Sequence, residues 1–220
     1  MQRRLLHHRR MNTATRTSLS SRLKQETRPL HTRVEQSGVM AALLRGRLSL
    51  PGYCALLRNL HAIYEALEAG LGRHPVDARL WRPELSRVQP LEQDLDRLHA
   101  TPWRTHGPLM PATVAYVERL TLLGRTEPVL LLAHAYLRYL GDLHGGQVLA
   151  RLVSRQFALD GQAGTAFYAF GDPAQVEALK ADFRAGLDAL PLTTEQADAF
   201  VAEACQAFRL HRQLFEELAR

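Results

Sequence analysis

The chain has 220 residues, of which 46% are hydrophobic and 23% charged, a balance typical of a soluble globular protein. This length suits one large domain with a buried core, and no apolar run is long enough to span a bilayer. The formal net charge of +6, carried almost wholly by arginine, is compatible with nucleic acid, an anionic membrane or an acidic small molecule or protein as a partner.

The first stretch of the chain is basic, polar and only weakly periodic. We predict a disordered basic leader over residues 1–20 and a helical domain over residues 21–220. The leader lacks the apolar run of a secretory signal, whereas its arginine- and serine-rich composition leaves an organellar transit peptide open. The two cysteines, Cys54 and Cys205, lie outside any C-x-x-C arrangement, which favours a reducing cytoplasm.

Helix signals then follow one another along the chain. Ser49 before Pro51 predicts the start of a helix that fades at Gly70. Residues 83–100 predict another helix, which is interrupted near Pro90.

The second half continues in the same way. Pro111 predicts a helix start, and Gly124 predicts the end of that helix as a C′ glycine. Pro128 marks the beginning of a long helix, and Asp172 and Thr193 are expected to cap the last two helices.

Alternation of apolar and polar residues, the pattern of half-buried strands, is not convincing anywhere in the chain. The glycine-bounded loop of residues 161–171 is expected to pack its aromatic side chains into the core. The fold class predicted from these patterns is all-α, a single domain with short connections between helices.

One helical segment, residues 135–151, contains Gly141, Gly145 and Gly146. Each glycine inside a helix costs about 1 kcal/mol relative to alanine, so the cluster calls for a compensating gain. It can let another helix approach, let the chain kink, or let a flat ligand lie against bare backbone. Asp142 lies within the cluster in an apolar setting, where an unpaired carboxylate is costly. The residues alone leave these alternatives open.

The segment "GRTEPVLLLAHAYLRYLGDLHGGQVLAR", residues 124–151, closely resembles the distal-helix region of haem oxygenases. The similarity extends in order over residues 21–218 and includes the proximal segment and four further segments: residues 23–36, 60–68, 91–95, 179–190 and 207–218. The resemblance implies a helical haem oxygenase-like fold, in which haem is sandwiched between a proximal helix and a glycine-kinked distal helix.

On the proximal side, the spacing of the ten histidines does not select a metal ligand. The resemblance implies that His31 is the axial ligand of the haem iron, with Glu35 four residues later as its partner. Pro29 departs from a smooth helix, so either the helix kinks just before His31 or a second helical piece begins near Pro29.

On the distal side, the resemblance implies that backbone at Gly141 and Gly145 stands where side chains would obstruct the haem face. Asp142 is expected to hold a water beside the reacting oxygen, with no need to transfer a proton directly. Tyr64 and Arg138 match positions of the same hydrogen-bond network.

The haem propionates need cations and hydroxyls at the open edge, and the resemblance implies these positions: Lys24, Arg28, Tyr136, Lys180 and Arg184. Phe208 is expected to pack near the haem plane. His144 stands where the family often has serine, and its effect depends on whether its ring points away from the haem or reaches it.

The implied activity is a haem oxygenase reaction, in which haem is both substrate and cofactor and is opened to biliverdin, CO and ferrous iron, at the α-meso carbon. The reaction uses O₂ and an external electron donor such as a ferredoxin, a flavodoxin or a reductase. We expect a cytoplasmic monomer without a membrane or nucleic-acid partner, because no nucleic-acid motif accompanies the basic charge. The alternative is a haem-binding or haem-transfer protein without turnover.

Overall fold

A computed structural model describes residues 17–99, 102–161 and 163–220. Most of the predicted basic leader, residues 1–16, lies outside the described residues. The first helix begins at Leu19.

The described residues form nine α-helices and no strand, which confirms the all-α prediction. The helices are α1 Leu19–Glu35, α2 Gly38–Leu44, α3 Leu50–Leu71, α4 Val88–Leu98, α5 Pro111–Thr126, α6 Leu131–Ala135, α7 Gly141–Phe157, α8 Pro173–Asp188 and α9 Thr194–Glu217. A π-helical turn, Tyr136–Leu140, joins α6 to α7, and single 3₁₀ turns cover Pro83–Leu85, Trp103–Thr105, Pro128–Leu130 and Ala166–Tyr168. Along the described helices, no segment is both long and apolar enough to cross a membrane.

The predicted N-caps are confirmed. The Ser49 hydroxyl accepts a backbone N–H from the first turn of α3. Asp172 and Gln175 form a reciprocal capping box at α8, and Thr193 and Gln196 form another at α9. Such caps satisfy backbone donors that a helix leaves without intrahelical partners. Because both partners lie within one turn, the caps could be predicted from the local sequence.

Two predicted helix interruptions were wrong. Pro90 lies in the first turn of α4, where its missing N–H would have had no intrahelical partner, and the break falls before Val88. Gly124 lies inside α5, which continues to Thr126. A Cβ at Gly124 would stand 3.8 Å from the Leu131 side chain and 3.9 Å from the Cα of Gly70, both ordinary van der Waals distances.

Helix α1 runs continuously from Leu19 to Glu35 through Pro29, so no second helical piece begins at the proline. The helix packs against α9, which also contacts α2, α5 and α6. On the other side of the molecule, α3 packs against α4 and α5.

The loop after α7 places three aromatic side chains, Phe167, Tyr168 and Phe170, in the core, as predicted. Through Ala166–Tyr168 this loop contacts both α4 and α7. The loop therefore packs between α4 and α7.

Candidate functional site

A cavity of about 290 Å³ opens between α1 and α7. Its wall is mainly apolar and draws on α1, α2, α3, the π-helical turn, α7, the Ala166–Tyr168 turn and α9. Mainly apolar walls with a few convergent polar groups are typical of cofactor sites. The lining residues are His31, Val34, Glu35, Met40, Leu44, Leu56, Leu60, Leu137, Arg138, Gly141, Asp142, Gly145, Val148, Leu149, Phe167, Tyr168, Phe208, His211 and Phe215.

The predicted glycines form a bare stretch of this wall. A Cβ added at Gly141 or Gly145 would meet no atom within 4 Å, so both positions face open space. A Cβ at Gly146 would contact the Cβ of Tyr168 at 3.5 Å, which places this third glycine toward the supporting loop. Of the three explanations for the cluster, bare backbone facing open space is therefore the one that agrees with the structure at Gly141 and Gly145.

The helical geometry of the distal segment changes just before the glycines. The resemblance implied a kink at the glycines themselves. The π-helical turn Tyr136–Leu140 precedes Gly141, and α7 then continues regularly through all three glycines to Phe157. A π-helical turn inserts an extra residue into the helix and frequently occurs at functional sites. It redirects the segment that carries Arg138.

Two exposed apolar side chains stand at the cavity. Leu44 on α2 is 39% exposed and Val148 on α7 is 47% exposed, and both line the wall. Large apolar side chains exposed beside a cavity gain free energy when an apolar ligand covers them. This part of the wall fits a flat, mainly apolar molecule.

His31 and Glu35 lie on the α1 side of the cavity. The His31 Nδ1 stands 3.6 Å from the Glu35 Oε2, and both side chains are about half exposed. The His31 ring also meets Phe208 of α9 edge-on, with 6.0 Å between ring centroids. Because Nδ1 faces Glu35, Nε2 is the ring nitrogen available to a metal. Across the described residues, no group of three histidine, cysteine or acidic side chains forms a site for a bare metal ion.

Tyr64, Arg138 and Asp142 form a closed ring of hydrogen bonds on the opposite side. The Arg138 Nε–H donates to the Tyr64 hydroxyl at 2.9 Å, and its Nη2–H donates to the Asp142 Oδ1 at 2.9 Å. The Tyr64 O–H donates to the other carboxylate oxygen, Oδ2 of Asp142. The predicted network residues therefore lie together, although they come from α3, the π-helical turn and α7.

Burial raises the pKa of Asp142, and the Arg138 cation opposes this rise. Burial also raises the pKa of Tyr64, so its hydroxyl keeps its proton at neutral pH. The Arg138 and Asp142 side chains are each only 9% exposed, and their opposite charges compensate each other. Asp142 also lines the cavity, where its carboxylate is available to accept a further hydrogen bond.

His211 is a site residue that the sequence analysis did not select. It is 2% exposed, lines the cavity from α9, and its Nε2 accepts a hydrogen bond from the Arg138 Nη1. The proton of this neutral ring is therefore on Nδ1, which is buried without a hydrogen-bond partner among the described residues. Burial, together with the Arg138 cation, holds the pKa of His211 well below its ordinary value. A possible sequence signal was its spacing from Phe208 and Phe215, which line the same cavity.

His134 is a satisfied core histidine, the ordinary role of a lone helical histidine. Its Nε2 donates to Glu203 Oε1 at 2.9 Å, and its Nδ1 accepts from the Tyr116 hydroxyl at 3.0 Å. Burial lowers the pKa of His134. Burial opposes the ionisation of Glu203, but hydrogen bonds from His134 and Arg119 outweigh it and lower the pKa of Glu203 to about 2.

The predicted propionate-binding residues lie outside the cavity wall. Lys24 and Arg28 are exposed on α1. The Tyr136 hydroxyl lies 3.3 Å from the Thr27 Oγ1 and is the donor, because Thr27 donates its own proton to a backbone carbonyl. Burial raises the pKa of Tyr136, and the nearby cation Arg184 opposes this rise.

Lys180 and Arg184 on α8 form what we call the cationic edge. Lys180 is paired with Glu177 one turn earlier, at 2.7 Å. The Arg184 Nη2 lies 2.8 Å from the Nε2 of His144 on α7. The His144 ring therefore points toward α8 and does not line the cavity, so of the two alternatives for this residue, the ring pointing away is the one observed.

Comparison with known proteins agrees with this geometry. The sequence model of the family described as "Heme oxygenase" matches residues 17–217. "Heme oxygenase 1" of Nostoc sp. is 37% identical over 205 residues, covering 92% of this chain and 86% of that protein. "Heme oxygenase 1" of Homo sapiens is 40% identical over 205 residues, covering 91% of this chain and 71% of that protein.

Solved structures give the same result. The crystal structure of heme oxygenase-1 from Synechocystis sp. in complex with heme has a TM-score of 0.84 at 36% identity, covering 92% of both chains. Heme oxygenase-2 of the same organism, in complex with heme and NO, has a TM-score of 0.87 at 35% identity, covering 92% of this chain and 85% of that chain.

The helical fold of the described residues, together with the match to the family model, identifies an oxidoreductase. The chain belongs to the haem oxygenase family, whose activity is the oxygenation of haem to biliverdin.

Proposed function

We propose that the cavity between α1 and α7 binds haem and that the chain opens it at the α-meso carbon, with O₂ and an external electron donor as co-reactants. The observation that carries this proposal is the bare backbone at Gly141 and Gly145, which faces open space across the cavity from a histidine. A flat macrocycle fits such a space, because added side chains on the glycine face would occupy it.

The proximal wall holds the ligand through His31. A neutral imidazole binds iron through its free ring nitrogen, and Glu35 on the next turn fixes the ring orientation through Nδ1. Phe208 contacts the same ring edge-on, which limits its rotation. Bound haem supplies the iron that activates O₂ and the porphyrin carbon that is oxidised.

The distal wall holds a water and directs its protons. Asp142 presents a carboxylate that already accepts from Arg138 and Tyr64 and has lone pairs left for a water in the cavity. The Arg138 guanidinium fixes the carboxylate in one orientation, so the water takes one position. Asp142 acts as an organiser of this water and needs no change in its own charge.

The open edge binds the propionates. Lys180 and Arg184 supply positive charge there, Lys24 and Arg28 extend it on α1, and the Tyr136 hydroxyl lies between α1 and the π-helical turn. Cations at this edge would orient the macrocycle in the cavity, because carboxylates attract them more strongly as they leave bulk water.

The remaining proposals concern the surroundings of the reaction. The net charge of +6 suits an acidic donor such as a ferredoxin, a flavodoxin or a reductase. We propose a cytoplasmic monomer, supported by the free state of Cys54 and Cys205.

The test is a titration of the purified protein with haemin, followed by ascorbate in air with an iron chelator present. We expect a Soret band that forms and then decays while biliverdin absorbance grows. A stable Soret band without product would instead support a haem carrier, and no complex at all would refute the proposal.

A further inference from the structure

His144 connects the glycine-bearing helix to the cationic edge. Its Nδ1 lies 2.6 Å from the carbonyl oxygen of Leu140, and its Nε2 lies 2.8 Å from the Nη2 of Arg184. A carbonyl only accepts and a guanidinium only donates, so Nδ1 carries the proton and Nε2 is the acceptor. His144 is therefore a neutral imidazole held between two partners.

The two cations of the edge are held in different ways. Lys180 forms an ion pair with the carboxylate of Glu177, whose side chain is largely exposed to solvent. In the part of the chain that the structure describes, no carboxylate forms an ion pair with Arg184. Arg184 is instead held by the lone pair of a neutral ring, so its orientation is restricted without a paired carboxylate.

His144 lies close in the helix to the two glycines that face the cavity. On a helix, His144 lies within about 100° of both Gly141 and Gly145, the bare backbone of the wall. A guanidinium attached to His144 is therefore held next to the glycine face. Without this attachment, a long arginine side chain on an exposed helix samples many rotamers, which costs entropy when a ligand orders it.

We propose that His144 is a positioning residue that presents Arg184, held by a neutral ring in place of an ion pair, to a carboxylate at the edge of the bound ligand. This inference rests on the proposed function, since haem propionates are the carboxylates concerned. A neutral acceptor is required, because an acidic residue at position 144 would orient Arg184 but cancel the charge that the propionate needs.

The test compares three variants, His144→Gln, His144→Leu and His144→Glu, in titrations with haemin and with haemin dimethyl ester. The ester has the same ring and iron but no carboxylates. Glutamine keeps a neutral acceptor, leucine keeps bulk without an acceptor, and glutamate adds a compensating charge. Thermal unfolding of each apoprotein verifies that the variants fold.

We expect His144→Leu to weaken haemin binding roughly three- to tenfold, the effect of losing one hydrogen bond that orients a charged group. His144→Gln should bind haemin with nearly native affinity, His144→Glu more weakly than His144→Leu, and the ester should bind all four proteins equally.

Equal haemin affinity of the leucine and glutamine variants would overturn the inference, as would an equal loss for haemin and its ester. Either result would leave the proposed function standing if the native protein still binds and converts haemin. Absence of haemin binding to the native protein would instead refute the proposed function together with this inference.

Discussion

Gly145→Ala is expected to stabilise the protein and impair its site at the same time. Gly145 lies inside α7, and a Cβ there would meet no atom within 4 Å. Replacing a helix-interior glycine by alanine at an unobstructed position stabilises the folded protein by about 1 kcal/mol. For a chain of this size, that corresponds to a rise in Tm of roughly 2–4 °C.

The same methyl group projects into the cavity that we assign to haem. Overpacking a contact surface by one carbon costs roughly 1–3 kcal/mol, so haemin affinity should fall roughly five- to 150-fold. Thermal unfolding of the apoprotein and a haemin titration measure the two effects separately, and they should have opposite signs.

Gly146→Ala is the matched control. It is the next residue in the same helix, but its Cβ would meet Tyr168 at 3.5 Å, an ordinary contact, and this position does not line the cavity. We expect a comparable gain in stability with haemin affinity unchanged. Equal haemin affinity of the two variants would refute our assignment of the glycine face, and a loss of stability in Gly145→Ala would show that the space is not open.

Three further predictions concern the buried polar groups. Asp142→Asn should bind haemin with near-native affinity but form biliverdin roughly a hundredfold more slowly, because the amide is uncharged and orients the water poorly. Product absorbance measures this rate, and an unchanged rate would exclude Asp142 as the residue that organises the water. His211→Leu should lower the apoprotein's free energy of unfolding in urea by about 1–3 kcal/mol, because Arg138 loses a buried acceptor, whereas His211→Gln should lower it less; equal losses would exclude the hydrogen bond as the cause. Burial lowers the pKa of His134 and His211 in the folded state, so the unfolded chain binds their protons first. The free energy of unfolding should therefore be at its full value above about pH 6.5 and fall below that pH by about 1.4 kcal/mol per pH unit for each histidine. Urea unfolding between pH 7 and 5 should show a smaller dependence of this free energy on pH in His211→Gln. An unchanged pH dependence in that variant would contradict the argument.

Local signals predicted most of the secondary structure. The caps at Ser49, Asp172 and Thr193 are short-range hydrogen bonds between neighbouring residues, so the sequence alone was sufficient to locate them. Gly124 and Pro90 were misjudged because a glycine or proline has more than one use. Gly124 lies inside α5 and does not end it, and Pro90 occupies a first turn.

In the distal motif, some contacts follow from local spacing along the helix and others depend on residues far apart in the sequence. Arg138 and Asp142 are four residues apart, so one helical segment was enough to expect them near each other. Their partners Tyr64 and His211 are more than seventy residues from Arg138 in sequence, at separations of 74 and 73 residues. The resemblance pointed to Tyr64, but no pattern pointed to the His211 contact, which exists only because α9 packs against the π-helical turn.

The all-α fold class, the helix caps and the glycine cluster beside an acidic residue could all be predicted from the amino-acid sequence. These features depend on backbone propensity and on contacts within a turn or two of helix. Three features depend on how the helices pack: which glycines face open space, the orientation of His144 toward Arg184, and the contact of His211 with Arg138. The physical reason is that open space, charge compensation and the satisfaction of a buried donor all depend on groups brought together from distant parts of the chain.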